Sequence, residues 1–453
     1  MNSASPPTVP VREVSELRRH FERGGKPPDQ HRVGVEHEKI AVLSDGRAPD
    51  YDHVIGPLLE RLAASSSAQS RGEGQSWEPV LEEGRIIALK RGMASVTLEP
   101  GGQFELSDQP RATARDAAAA LSAHHRELEP LARAAGLTFL GIGFRPLGTL
   151  DEVPWMPKGR YRVMREYLPT RGSLGLEMMK RTATVQANLD FTDEADCADK
   201  LRAAMGVTSL VTALWSSSPL SEGKSTGFQS VRAEAWLSTD DDRCGLLPFA
   251  FAPEAAERLF DDYTEWALDV PMFFVARSGR YLPVGAMTFR RFLAEGFGGH
   301  AATLADWELH LSTLFPEVRL KQYLEVRGAD SGPAPMVVAL PALYRGLLYD
   351  GDARRAAWDL TARWSFADRV ALRAEVPRSG LRATVGGRPI LDLCRELVQI
   401  ARTGLARLGD DDPALLDPVQ RVAEEGRSVA DEILAANLLS GGDPATLIAA
   451  LKL

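Results

Sequence analysis

Four well-separated stretches of this chain alternate apolar and polar residues with the two-residue period of a β-strand. They are VGVEHEKI (Val33–Ile40), LEPGGQFEL (Leu98–Leu106), TVQANLDF (Thr184–Phe191) and YLEVR (Tyr323–Arg327). One face of each is polar: Glu36 with Glu38, Gln103 with Glu105, Gln186 with Asn188, and Glu325 with Arg327. The opposite faces carry Val33 and Val35, Phe104 and Leu106, Val185, Leu189 and Phe191, or Leu324 and Val326. A solvated outer face usually mixes Lys and Thr among its acids. Here the acids recur and the bases are few, so the pattern points to clustered carboxylates that need a counter-charge.

The spacing elsewhere predicts helices over Val11–Arg23, around His53–Ala64, over Thr113–Ala135, near Arg160–Tyr167, and over Glu194–Trp215. Trp77–Leu106 reads as strands broken at Glu83-Gly84, Arg91-Gly92 and Gly101-Gly102, Leu137–Phe144 as a buried strand, and Arg319–Arg327 as one more strand. Ser65–Ser76 reads as a low-complexity loop. Arg145–Gly175 and Ser216–Arg243 are turn-rich and too long to be mere connections, which suits a binding role. The expected architecture is α+β: a mostly antiparallel or mixed sheet drawn from distant segments and backed by helices, not a doubly wound fold. Three parts follow: a leader and helix over 1–30, a sheet core over 31–335, and an almost wholly helical 336–453 packed on it, with no linker to part them.

Composition narrows the function. At 453 residues with 44% apolar and 25% charged residues, the chain is an ordinary globular one with a large core. A net charge of -9 argues against a nucleic-acid partner. Cys197, Cys244 and Cys394 are too few and too scattered for a disulfide framework or a zinc site, so a reducing, cytoplasmic setting is expected. No run reaches the roughly 18 apolar residues of a membrane span. MNSASPPTVP lacks the basic and apolar regions of a signal peptide and reads as a frayed leader.

If the four polar faces adjoin, Glu36, Glu38, Glu99, Glu105 and Glu325 converge with Gln186. Two carboxylates about 4 Å apart repel by about 4 kcal/mol at an effective dielectric near 20. Oxygen-only ligands select a hard ion such as Mg²⁺ or Mn²⁺, usually held together with substrate phosphates. The competing reading leaves each acid on its own solvated surface. The chain has no GxxxxGK(S/T) phosphate loop and no GxGxxG between strand and helix, so a bound ATP would rely on metal and side-chain cations. Candidates are Lys158, Arg160, Arg181, Arg232 and Arg327, each otherwise an ordinary surface ion pair. Arg327 stands out, because an Arg two residues from Glu325 shares its face and can grip phosphate or carboxylate with two parallel bonds. Asn188, beside Gln186 on its face, joins the substrate-binding candidates. His37 points to the apolar side and reads as a packed, hydrogen-bonded core histidine. Pro100-Gly101-Gly102 reads as a tight turn that could alternatively bring backbone amides near a phosphate.

EHEK, LEPGGQFELS, FLGIGFRP, MPKGRYRVMREYLP, GSLGLEMMKRTATVQANLDF, LPFAF, ALDVPMFFV, FPEVRLKQYLEVRGAD and GLLYD together resemble plant-type glutamate–cysteine ligase, from about Val33 to Pro377. The resemblance implies a glutamine-synthetase-like fold, in which a curved, mostly antiparallel sheet forms a funnel lined by metal-binding acids. It implies that ATP, L-glutamate and L-cysteine give γ-glutamylcysteine, ADP and phosphate through a γ-glutamyl phosphate, the first step of glutathione synthesis. Matched onto this chain, Glu36, Glu38, Glu99, Glu105, Gln186 and Glu325 would form the shell of a Mg²⁺ or Mn²⁺ ion. Arg232 and Arg327 would anchor phosphate and glutamate, with Lys158, Arg160, Arg165 and Arg181 as further candidates. Ala183 stands where the plant pattern has Cys, and Gly296–Ala302 lacks another, so disulfide control of the plant kind is not expected. A monomer or a homodimer is equally compatible. Two other readings remain: a ligase joining glutamate to a different amine, and a non-catalytic glutamate or nucleotide sensor.

Overall fold

The computed structural model describes residues 10–69, 76–438 and 443–453. The leader over 1–9 and the middle of the Ser65–Ser76 stretch lie outside the described residues. What is described of that stretch begins as helix, since Gly56–Gln69 is helical.

One sheet of nine strands organises the molecule. Seven of them are β1 (Val33–Leu43), β2 (Glu78–Glu82), β3 (Arg85–Arg91), β4 (Ala94–Leu98), β5 (Phe104–Ser107), β6 (Leu137–Leu140) and β7 (Val185–Leu189). The other two, Val318–Leu320 and Leu324–Val326, form a hairpin at one edge. From that hairpin the order runs β7, β1, β5, β4, β3, β2, and β6 pairs with the far half of β1. Every pairing is antiparallel. β1 is central because it is long enough to serve three neighbours. Its residues Val33–His37 face β7, Glu36–Lys39 face β5, and Ile40–Leu43 face β6.

The breaks expected at Glu83-Gly84, Arg91-Gly92 and Gly101-Gly102 fall between successive strands. Two expectations change. Arg319–Arg327 is a two-stranded hairpin turning at Lys321–Tyr323 rather than one strand. The strand after Gly136 ends at Leu140, and Gly141–Phe144 is irregular apart from a bridge to Thr182.

The apolar face of the sheet is covered by helices. Ala114–Ala134 is capped by Thr113, whose hydroxyl accepts from the Asp116 amide at 3.0 Å, and buries Ala117, Leu121, His124, Leu128 and Ala132 along one stripe. Ala334–Tyr349 packs on β7 and β1 and carries the helical C-terminal part against the sheet. Glu194–Leu214 is capped by Asp193 and buried without a break from Ala203 to Leu214, so it is a central core helix rather than an amphipathic one.

Candidate active site

Register brings the expected acids to one face. In an antiparallel ladder, residues directly opposite one another point the same way. Glu38 lies opposite Glu105, and Glu105 lies opposite Thr97 on β4. Glu36 lies opposite Gln186, and Glu325 opposite Asn188. One continuous polar face therefore runs from the hairpin through β7, β1 and β5 to β4.

The charges on this face are unevenly balanced. Glu325 is fully buried and ringed by cations: Arg319 Nη2 at 2.6 Å, Lys321 Nζ at 2.6 Å, and the Arg327 guanidinium. Burial raises the carboxyl's pKa, but the three cations outweigh it and hold the group well below the usual carboxylate range. The acids on β1 and β5 have no such partners. The Glu36 carboxylate accepts from Asn188 Nδ2 at 2.9 Å, and the Glu38 carboxylate from the Thr184 amide at 3.0 Å. The Glu105 carboxylate accepts from the Thr97 hydroxyl at 2.6 Å. Burial, with the charge of Glu325 beside it, pushes Glu36 up to about 7. Burial with Glu99 and Glu105 pushes Glu38 well above its ordinary value, and burial with Glu99 raises Glu105.

Among the described residues no three His, Cys, Asp or Glu side chains stand close enough together to hold a metal ion by themselves. The donor chemistry nevertheless fits a hard divalent cation: Glu36, Glu38 and Glu105 supply only oxygen, and their raised proton affinity marks them as short of positive charge. Such an ion would complete its shell with water or substrate oxygens, as Mg²⁺ commonly does. Glu325 fits less well, since three cations already neutralise it.

Cations flank the acid face on both sides. On the β4 side lies Lys158, whose pKa burial lowers to about 8 against the pull of Glu99 and Glu105. Arg160 stands next to it, and both cations approach the Tyr161 ring, at 5.6 and 5.5 Å. Tyr161 is pinned by donating to the Leu98 carbonyl at 2.6 Å, and the Gly159 amide donates to Glu82 at 2.7 Å. These bonds fold the long 145–175 segment over the end of the sheet. Lys158 thereby lines a cleft of about 850 Å³ together with Arg85, Arg162, Arg280 and Tyr281.

On the hairpin side, Arg327 Nη1 donates to Gln186 Oε1 at 2.8 Å, and Arg232 Nη2 donates to the Arg327 carbonyl at 2.8 Å. Both arginines line a small pocket of about 30 Å³ with Trp236, Glu317, Arg373 and Thr208. Two buried donors there, Arg232 Nε and Trp236 Nε1, have no hydrogen-bond acceptor. They are the natural complement of an anionic group.

Several expected residues are placed elsewhere. Arg165 is exposed and stacks 5.6 Å from the Trp155 ring. Arg181 is buried, but against Glu177, the Ser221 hydroxyl and the Phe144 ring. Neither touches the acid face, because the helix Gly175–Arg181, which local spacing did not reveal, turns Arg181 away. Gln103 is consumed structurally: its amide donates to the Met179 and Thr182 carbonyls and accepts from the Gly101 amide. Gly101 belongs to a turn closed by the Gly102 amide on the Glu99 carbonyl, and a Cβ there would lie 2.1 Å from the Lys180 carbonyl oxygen. Close backbone packing, not phosphate contact, accounts for that glycine. His37 is buried on the apolar side as expected, yet its Nε2 has no hydrogen-bond partner.

Arg319 and Lys321 were missed although they continue the alternation back from Glu325. Trp236, Glu317 and Arg373 had no local signal, since they meet only through tertiary packing.

The family model for glutamate-cysteine ligase family 2 (GCS2) matches residues 32–449. The chain belongs to that family. It is 42% identical over 442 residues to a chloroplastic glutamate–cysteine ligase of Arabidopsis thaliana, covering 95% of this chain and 82% of the relative. It is 40% identical over 441 residues to glutamate–cysteine ligase B of Oryza sativa subsp. japonica, covering 95% and 86%. Among solved structures, a glutamate–cysteine ligase of Francisella tularensis in complex with AMP superposes with a TM-score of 0.58 at 13% identity, covering 93% of this chain and 87% of that one. That likeness shows the glutamine-synthetase-like ligase fold expected from the sequence.

Proposed function

We propose that this protein is an ATP-dependent glutamate–cysteine ligase whose reaction centre is the acid face of the sheet. The observation that carries the reading is the placement of Glu36, Glu38 and Glu105 on one face between two groups of cations: Lys158 and Arg160 on one side, Arg232 and Arg327 on the other. The family membership and the named activity of relatives at about 40% identity support it.

Glutamate's γ-carboxylate is a poor acyl donor, because its oxygen does not leave. In the proposed reaction a γ-carboxylate oxygen attacks the γ-phosphorus of ATP and the bond to ADP breaks. The amine of cysteine then attacks the acyl carbon, phosphate departs, and the amine loses a proton. Such chemistry needs positioning and charge neutralisation rather than a protein nucleophile. Lys158, which lines the 850 Å³ cleft, and Arg160, which shares the Tyr161 ring with it, are assigned to the nucleotide phosphates. Arg232 and Arg327 are assigned to glutamate, with Trp236 Nε1 as a further donor to its carboxylate. Glu36, Glu38, Glu99 and Glu105 would share the holding of Mg²⁺ or Mn²⁺ with water and substrate oxygens, and the ion when bound would neutralise phosphate charge. The segments over 145–175 and 216–243 are suited to shielding the acyl phosphate from water.

A place at the first step of glutathione synthesis is part of the same proposal, supported by the product's being γ-glutamylcysteine. The cytoplasmic setting remains part of the proposal, supported by three free thiols, of which Cys197 and Cys394 are buried. The test is ADP release from protein, Mg²⁺, ATP and glutamate, which cysteine should accelerate. Turnover with other small amines and none with cysteine would replace cysteine as the acceptor. Glutamate binding without any turnover would make the protein a sensor.

A further inference from the structure

We propose that Asp330 is the positioning residue for Arg232, acting through the hydroxyls of Ser218 and Ser230. The inference rests on the assignment of Arg232 to glutamate.

Asp330 is 1% exposed, and its carboxylate is the acceptor at the centre of a closed polar knot. Oδ2 accepts from the Ser217 amide at 3.0 Å and the Ser218 hydroxyl at 2.6 Å, while Oδ1 accepts from the Ser230 hydroxyl at 2.7 Å. A carboxylate has no proton to give, so both hydroxyls must donate to it. Their lone pairs are thereby turned outward to backbone amides. Ser218 Oγ accepts from the Arg232 amide at 3.3 Å. Ser230 Oγ accepts from the Ala233 amide at 3.0 Å and caps the short helix Val231–Leu237 that carries Arg232. One buried charge thus sets the direction of both hydroxyls and the start of that helix.

The knot is also tied to the far end of the arginine. Arg232 is 3% exposed, and its guanidinium donates to the carbonyl of Arg327, three residues before Asp330. Asp330 is itself locked into the sheet margin by a bridge to Thr184 and by the Ser331 amide donating to the Ala183 carbonyl. Ala183 and Thr184 directly precede β7, which holds Gln186. Gly143 completes the enclosure: a Cβ there would lie 2.5 Å from Asp330 Cγ, so the backbone closes on the carboxylate. Arg232 therefore receives its aim from the same strands that carry the acid face.

Asp330→Asn tests this, because an amide nitrogen would meet one serine hydroxyl donor to donor and force it to turn. The expected result is a KM for glutamate raised at least tenfold, with KM for ATP within twofold of the parent. Ser230→Ala, which removes the hydroxyl, should likewise raise KM for glutamate and leave KM for ATP within twofold. Arg232→Lys should also raise KM for glutamate, and the double variant Asp330→Asn with Arg232→Lys should lie within threefold of Arg232→Lys alone. If Asp330→Asn is insoluble, Ser218→Ala replaces it in the same comparison. A lowered melting temperature with KM for glutamate unchanged would overturn the proposal, as would multiplying effects in the double variant. Unchanged kinetics in Arg232→Lys alone would instead sink the assignment of Arg232, and this proposal with it.

Discussion

Glu38 and Glu105 face each other across the β1–β5 ladder, and among the described residues neither carboxylate is in ion-pair contact with a basic side chain. Directly opposed side chains in such a ladder are about 5 Å apart, where two like charges repel by roughly 3 kcal/mol at an effective dielectric near 20. Burial and repulsion between neighbouring carboxylates raise the proton affinity of both carboxyls, and a bound cation is proposed to take the place of those protons.

Glu38→Gln should accordingly leave the metal-free protein as stable as the parent or more stable, while turnover falls at least 100-fold. Paired melting curves with and without Mg²⁺ give the sharper reading: the parent should be stabilised by the ion and the variant much less. A fully active variant would take Glu38 out of the site.

The raised carboxyls give a sign to the pH dependence. Glu36 binds its proton up to about 7 in the fold and only to about 4.5 when unfolded, so the folded state holds more protons between those values. Stability attributable to Glu36 is therefore present at low pH and lost as pH rises through about 7. Without divalent ions, the fall in melting temperature from pH 5.5 to pH 8 should shrink in Glu36→Gln. Added Mg²⁺ should stabilise the parent more at pH 8, where the carboxylates are ionised. An equal fall in parent and variant would contradict this.

The basic candidates separate by location. Lys158→Ala should raise KM for ATP tenfold or more, because Lys158 lies between the acid face and the large cleft. Arg165→Ala should stay within twofold on every substrate, since Arg165 is exposed against Trp155. Arg181→Ala should act on folding instead, leaving Glu177 without its partner. Steady-state kinetics alongside melting curves would check all three.

Gly101→Ala should destabilise the protein by roughly 2 kcal/mol or more, as expected for a clash between packed backbones. The added methyl would have to displace the Lys180 carbonyl, which lies just before Arg181 and the entry to β7. Thermal unfolding measures the effect. An unchanged melting temperature would mean the turn at Pro100 is free to move.

Much of the site was legible along the chain because strands write their faces in steps of two. Glu36, Glu38, Glu105, Gln186, Glu325 and Arg327 were each readable as residues of a polar face before any pairing was known. The family motifs ordered them into one reaction. Less legible was the charge balance. Nothing local announces that Glu325 is neutralised by Arg319, Lys321 and Arg327 while Glu36 and Glu38 are not.

Alternation and turn chemistry, both properties of neighbouring residues, were enough to define the strands, their polar faces and the α+β class. Which strand lies beside which, whether Arg181 or Arg232 faces the acids, and how Asp330 gathers Ser218 and Ser230 from 112 and 100 residues away were decided only by the tertiary structure. Burial and Coulomb interaction depend on distance in space, and sequence separation carries almost no information about that distance until the chain has closed on itself.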